Sequence, residues 1–146
     1  MMSTPFHPGE VTMQELAGVR KNAERVGGIV RKSLPVQAQE FLREQPMVLL
    51  GFADSQGKVW CSIISGQPGF LWAADDMTVQ IDAVARRGDP LNGLVTEGSS
   101  VGLLAIDPAT RRRMRVNGRA HWTDQGDFQI AAEQVYSNCM RYIHAR

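Results

Sequence analysis

The sequence has few cysteines and no long apolar run, and these absences exclude several classes of protein. Its two cysteines, Cys61 and Cys139, stand far apart and in no Cys or His spacing typical of a zinc site. We therefore expect neither a disulfide nor a bound metal. No apolar stretch approaches the roughly 20 residues that a membrane-spanning helix needs. The N-terminus has no basic segment followed by an apolar one, so we expect a cytoplasmic protein with no membrane partner.

Neither sign of charge dominates. The chain has 146 residues, 16 Lys and Arg against 15 Asp and Glu, and a net charge of +1. Domains that bind nucleic acid usually carry a clear basic excess, so no nucleic-acid partner is expected. Hydrophobic residues make up 43% of the chain, which is enough for one globular domain spanning residues 1–146.

Lysine is scarce, and arginine supplies most of the positive charge. Only three of the 16 basic residues are lysines, at Lys21, Lys32 and Lys58. The planar guanidinium of arginine suits bidentate recognition of phosphate or carboxylate. The bias toward arginine therefore favours a small anionic ligand.

The first third of the chain has helical periodicity, over about residues 11–45. Apolar spacing predicts one helix from Thr12 to Val26, with Thr12 and Glu15 as a capping box, ended by a pair of glycines. A second helix is predicted from Pro35, a residue tolerated in a first turn, to Gln45.

Beyond residue 46 the pattern changes to short apolar runs separated by turn residues, which is typical of antiparallel sheets. A brief helix is predicted from Asp89 to Gly98. The pattern predicts a mainly β protein, a small β-barrel with flanking helices, and a β-sandwich is the competing architecture. The predicted strands cover residues 47–53, 58–64, 70–72, 78–81, 101–106, 113–122 and 128–136.

The most concentrated feature is a run of five arginines within residues 111–119. Alternation along a strand would place Arg113, Arg115 and Asn117 on one face. A solvated hairpin end would explain such a run, and so would an anion site in which guanidiniums bind a phosphate.

A second candidate lies around residues 60–70. Ser62, Ser65 and the amides near Gly66 could donate hydrogen bonds to a phosphate or to the polar edge of a planar ring. The alternative is an ordinary strand and turn with Trp60 and Phe70 in the core.

Residues able to perform chemistry unaided are sparse. His7, His121 and His144 are widely separated, and none stands beside a Ser, Cys or carboxylate in a known nucleophile motif. Cys61 lies within an apolar strand and is expected to be a small buried residue. Such a protein can still be an enzyme if a bound cofactor carries the chemistry.

A series of motifs covers nearly the whole chain in a characteristic order and spacing. Taken together they resemble those of the pyridoxamine 5'-phosphate oxidase-related flavoproteins. The matching segments are residues 6–10, 54–62, 66–70, 89–91, 101–107, 111–118, 138–139 and 141–143.

The resemblance implies an FMN-binding split β-barrel, commonly a homodimer with the flavin at the subunit interface. It implies an oxidoreductase that exchanges hydride or electrons with a small-molecule substrate or reduced nicotinamide. By the same resemblance, Ser62 and Ile63 are strand contacts to the flavin. Arg113 and Arg115 are donors to its phosphate or ring edge, and Asn117 is a polar neighbour.

One departure from the family's pattern limits what the resemblance implies. True pyridoxamine phosphate oxidases have an Arg-x-Val-Leu-Leu-Lys strand, whereas residues 60–65 lack both basic ends, so oxidation of vitamin B6 is not expected. A non-enzymatic flavin-, deazaflavin- or haem-binding module on the same barrel is the alternative function. Haem would require His7, His121 or His144 beside the pocket.

Overall fold

The computed structural model describes residues 4–82, 87–125, 127–138 and 143–144. Its internal contacts divide the chain into two compact units, Met1–Arg31 and Lys32–Arg146. The first unit contains two helices, and the second contains a helix, the sheet and one short helical turn.

The first unit contains α1 (Pro8–Leu16) and α2 (Arg20–Gly27) where a single helix was expected. That expectation is wrong because Gly18 adopts a positive φ of 68° and ends α1. The N–H of Val19 then donates to the Gln14 carbonyl at 2.9 Å, which closes the helix end. A glycine has no Cβ to oppose this conformation, so it can end a helix inside an apolar pattern that continues.

The capping box also lies elsewhere than expected. His7 precedes α1, and its Nδ1 accepts a hydrogen bond from the Gly9 N–H at 3.1 Å. The Glu10 carboxylate accepts from the His7 N–H at 2.8 Å. Thr12 lies in the second turn of α1, so the predicted pairing of Thr12 with Glu15 is wrong.

The second unit contains every predicted strand, each within one residue of its expected bounds. The predicted helix to Gly98 is shorter than expected, because Asn92 and Gly93 have non-helical backbone angles. The elements are α3 (Val36–Arg43), β1 (Met47–Ala53), β2 (Val59–Ser65), β3 (Leu71–Ala73), β4 (Thr78–Ile81), α4 (Leu91–Leu94), β5 (Ser100–Asp107), β6 (Arg112–Trp122) and β7 (Phe128–Ser137).

The seven strands form one antiparallel sheet in the order β2-β1-β5-β6-β7-β4-β3. This arrangement confirms the mainly β class. A register shift between Asn117 and Gly118 marks an irregularity where β6 pairs with β7.

One face of the sheet is packed into the core. Leu50, Leu103, Val116 and Ile130 are each at most 1% exposed, and Leu42 of α3 is fully buried with them. Burial of each such side chain contributes about 1.5–3 kcal/mol. Because side chains alternate along a strand, this packing turns the residues between them to the opposite side of the sheet.

The turn between β1 and β2 is organised by one carboxylate. Asp54 accepts hydrogen bonds from the Trp60 indole at 3.0 Å and from the Gln56 and Lys58 N–H groups at 2.9 Å each. The indole hydrogen bond is the largest of the effects that hold the pKa of Asp54 below its ordinary value.

This lowered pKa predicts how stability changes with pH. The contribution of Asp54 is complete above an unfolded-state pKa of about 3.9, and it is lost as the pH falls through the lower folded-state pKa. Asp54→Asn should lower the free energy of unfolding at pH 7 and reduce its acid dependence, as measured by urea unfolding across pH 2–7. Asp124→Asn is the control, because the side chain of this exposed turn residue forms no hydrogen bond within the described residues. If the two variants had equal free energies of unfolding across this pH range, Asp54 would not make the stabilising contribution described above.

Candidate functional site

The side of the sheet opposite the core carries most of the predicted site residues, and we call it the outer face. Register places Ile63 opposite Leu49, Leu49 opposite Leu104, and Leu104 opposite Arg115. Directly opposed residues on one face lie about 4.5–5.5 Å apart at Cβ. Ile63, Leu49 and Leu104, which we call the apolar row, therefore form a continuous strip. The strip ends at the guanidinium of Arg115.

A second row crosses the same strands beside the first. It consists of Cys61, Gly51, Gly102 and Asn117, again paired in register. The two glycines leave the main chain uncovered between the Cys61 and Asn117 side chains. A Cβ on Gly102 would come within 3.2 Å of Asn117 Oδ1, so Asn117 leans over this glycine pair.

Ser62 and Ile63, predicted as neighbouring contacts, point to opposite faces of β2. Ser62 is 3% exposed, and its hydroxyl donates to Asp89 Oδ1 at 2.5 Å. The same oxygen accepts from the Leu91 N–H at 2.8 Å, so Asp89 joins β2 to the start of α4. Ile63 is 57% exposed on the outer face. Cys61 also points outward and is exposed, so its expected burial is wrong.

Arg113, Arg115 and Asn117 share the outer face of β6 and are all partly buried, in keeping with strand alternation. Arg115 Nε donates to Asn138 Oδ1 at 3.1 Å, and the Asn117 amide donates to Gln134 at 3.1 Å. Two of the three predicted polar residues are thus already oriented by neighbours.

Arg113 differs, because its Nε is fully buried and has no hydrogen-bond partner within the described residues. Leaving a buried donor of a charged group unsatisfied is costly. A ligand that supplies a hydrogen-bond acceptor to the Arg113 Nε–H would therefore be stabilised. An anionic oxygen is the acceptor that a guanidinium binds most strongly.

Arg113 also lines a cavity of about 300 Å³ between α3 and the ends of β6 and β7, which we call the arginine cavity. Its walls include Phe41, Arg112, Ser137 and Asn138, and no carboxylate side chain is among its described lining residues. The Arg112 guanidinium lies 4.5 Å from the centre of the Phe41 ring. Sequence patterns placed Arg112 within the arginine run but gave no sign that Phe41 would meet it.

A larger cavity of about 450 Å³ lies between α3 and β3. It is lined in part by Glu40, Arg43 and Trp72, and it includes none of the predicted site residues. Its carboxylate and its guanidinium are both exposed. This mixture of opposite charges suits a single anion less well than the arginine cavity does.

Neither His121 nor His144 is among the described residues that line the two cavities. His121 pairs with Glu97, His7 caps α1, and His144 is exposed. Within the described ranges no cluster of His, Cys, Asp and Glu could hold a metal ion. The same ranges contain no helix that is long and apolar enough to cross a membrane.

The inward position of Ser62 predicts that its hydroxyl contributes more to stability than the exposed hydroxyl of Ser65. Ser62→Ala removes a hydrogen bond to a carboxylate, so it should destabilise the protein by about 1.5–3 kcal/mol in denaturant unfolding. Ser65→Ala on the same strand changes an exposed hydroxyl and should cost far less. Equal stability of the two variants would mean that the contact with Asp89 contributes little.

No protein-family model and no curated protein matches the sequence. Among solved structures, the chain is similar to a tagged variant of HupZ from Group A Streptococcus. The two share 13% sequence identity and a TM-score of 0.57, over 72% of this chain and 99% of the HupZ chain. At this identity the likeness shows the fold alone. The seven-stranded antiparallel sheet with its flanking helices is a split-barrel-like fold, which confirms the predicted barrel over the sandwich.

Proposed function

We propose that the protein is an FMN-binding flavoprotein of the oxidoreductase type, with the flavin on the outer face. The observation that carries the proposal is the buried Nε of Arg113, which has no hydrogen-bond partner within the described residues and lies on the same face of β6 as Arg115, where the apolar row ends. A ligand that combines a phosphate with a flat, largely apolar ring would suit both features. FMN is such a ligand.

The phosphate of FMN would lie beside Arg113 and Arg115. A phosphate monoester carries nearly two negative charges, and guanidiniums bind it through short, charge-assisted hydrogen bonds. Asn138 already holds Arg115 in place through its side-chain oxygen. Fewer side-chain rotamers would then be lost on binding, which favours affinity.

The ring would lie over the sheet between the two rows. Ile63, Leu49 and Leu104 would give it an apolar surface, and the glycine pair would let it approach the main chain closely. Asn117 would offer a polar contact at the ring edge. Ser62 would contribute through its main chain, because its side chain is bound to Asp89.

In this proposal the bound flavin supplies the redox chemistry, exchanging hydride or electrons with a small substrate or reduced nicotinamide. The chain itself binds the phosphate, orients the ring and excludes water. Oxidation of vitamin B6 is not proposed, since the strand at residues 60–65 lacks the basic ends.

The partner of the outer face would be a second copy of the chain. Ile63 of the apolar row and Val59 on the same face of β2 are 57% and 83% exposed, so the β2 end of the outer face is uncovered in a single chain. A homodimer across this face would bury these side chains and enclose the ring. Light scattering on the FMN-loaded protein should give the mass of a dimer, and a monomer that retains FMN would contradict an interface site.

The visible spectrum tests the proposal. Protein incubated with FMN and then gel-filtered should retain a flavin absorption band, and a colourless protein would overturn the proposal. Anaerobic addition of NADH or NADPH to the loaded protein should bleach that band faster than it bleaches free FMN. Flavin that binds but is never reduced would favour the non-enzymatic module.

Arginine variants test where FMN binds. Arg113→Ala and Arg115→Ala should each remove a charge-assisted contact worth about 1.5–3 kcal/mol, which is at least a tenfold loss of FMN affinity by calorimetry. Riboflavin, which lacks the phosphate, should bind the variants and the unmodified protein alike. Arg119→Ala is the matched control, because Arg119 shares the strand but pairs with Glu133 at 3.1 Å. Unchanged FMN affinity in both test variants would remove them from the site.

A further inference from the structure

Two consecutive residues of β6, Arg112 and Arg113, line the same cavity although strand alternation directs them to opposite faces. The arginine cavity lies at the end of the strand, where neighbouring residues of β6 can line the same cavity. Met114, a core residue that is 4% exposed, lines it as well. The strand begins directly after Arg111, whose φ of 56° marks the turn. The cavity is therefore lined by two consecutive arginines of β6.

Arg112 is held in place by an aromatic ring. Its guanidinium lies 4.5 Å from the centre of Phe41, and Phe41 is 3% exposed and packed into the core. A cation over the face of an aromatic ring is attracted to it, and the planar guanidinium of arginine suits this contact. The ring is thus a fixed platform for a side chain that would otherwise sample many rotamers.

The positive charge of Arg112 is only weakly coupled to a carboxylate, since its attraction is the smallest of the effects that lower the pKa of Asp107. Asp107 is its register partner on β5, but that carboxylate accepts from the Thr110 hydroxyl and from the Ala109 N–H. Within the described part of the chain, Arg112 forms no ion pair with any carboxylate. An exposed guanidinium that stacks on a ring and forms no salt bridge within the described residues can bind a ligand from solution.

The remaining walls supply neutral donors. Asn138 accepts from Arg115 through its side-chain oxygen, and its main-chain N–H donates to the Arg113 carbonyl at 3.1 Å. Its side-chain NH₂ group donates to no other group within the described residues. Ser137 contributes a hydroxyl. Two guanidiniums and these neutral donors, with no carboxylate among the described lining residues, match the charge of a dianionic oxyanion.

We infer that Arg112, stacked on Phe41, is a second binding residue for a phosphate monoester in the arginine cavity, together with Arg113. The inference rests on the proposed function, since it assigns that phosphate to FMN. The inference adds Arg112 to the binding site, although strand alternation directs this residue away from the outer face.

Two neighbouring substitutions with the same charge change test it. Arg112→Gln should weaken FMN binding at least tenfold and leave riboflavin binding within twofold, as measured by quenching of flavin fluorescence. Arg111→Gln is the matched control, because Arg111 is exposed in the turn and is not among the cavity's described lining residues. It should change FMN affinity less than twofold. Equal losses in the two variants would show only a general effect of charge and would overturn the inference.

Phe41→Leu tests the platform. Provided that its circular dichroism spectrum and cooperative unfolding match those of the unmodified protein, it should weaken FMN binding less than Arg112→Gln does. It should also add little further loss when combined with Arg112→Gln. Fully additive losses would show that the ring does not act through Arg112.

Failure of this inference is distinguishable from failure of the proposed function. If the unmodified protein binds FMN and Arg112→Gln binds it equally well, the inference falls and the function stands. If the unmodified protein binds no flavin, the function falls, and millimolar inorganic phosphate becomes the probe. Phosphate that raises the melting temperature of the unmodified protein but not of Arg112→Gln would still support the cavity. If phosphate changes the melting temperatures of the two proteins equally, the inference about Arg112 is overturned.

Discussion

The structure depends on one constraint, the burial of every second side chain in a twisted antiparallel sheet. Met114 and Val116 pack into the core at 4% and 0% exposure, and this packing forces Arg113, Arg115 and Asn117 to the other side. A slip of one residue in the register would bury three polar residues and expose two apolar ones. The core thus fixes the position of the arginines.

The same constraint explains why the outer face has its particular composition. Pairing between neighbouring strands aligns three apolar side chains with Arg115, and aligns two glycines with Asn117. Each row combines an apolar or open surface with a polar end. The arginine cavity adjoins this face at Arg113, where a buried donor lacks a partner within the described residues. A flat ring with a phosphate would satisfy both features, and this is the physical basis of the proposed function.

Much of the sheet could be predicted from the sequence because its signals are local. Turn residues separate short apolar runs, and each strand lies within one residue of its expected bounds. Alternation likewise placed three site residues on one face. The break at Gly18 was missed because the apolar spacing continues across it. Burial of Cys61 was wrongly expected because an apolar run does not reveal which face of an edge strand is covered.

Contacts between distant residues could not be predicted. Ser62 meets Asp89, 27 positions away, so its hydroxyl faces inward. Phe41 and Arg112 meet across an even longer separation, and only folding reveals that the helix supplies a ring beneath a guanidinium. Tertiary packing decides such pairs, whereas the periodicity of one segment decides its secondary structure.

The most direct test of this account is the NMR signal of the Arg113 Nε–H, assigned by its loss in Arg113→Lys. Addition of FMN should shift this signal saturably, with the same affinity that the flavin absorption reports, and riboflavin should leave it in place. A signal that stays unchanged while FMN binds would contradict the claim that this buried guanidinium binds the phosphate.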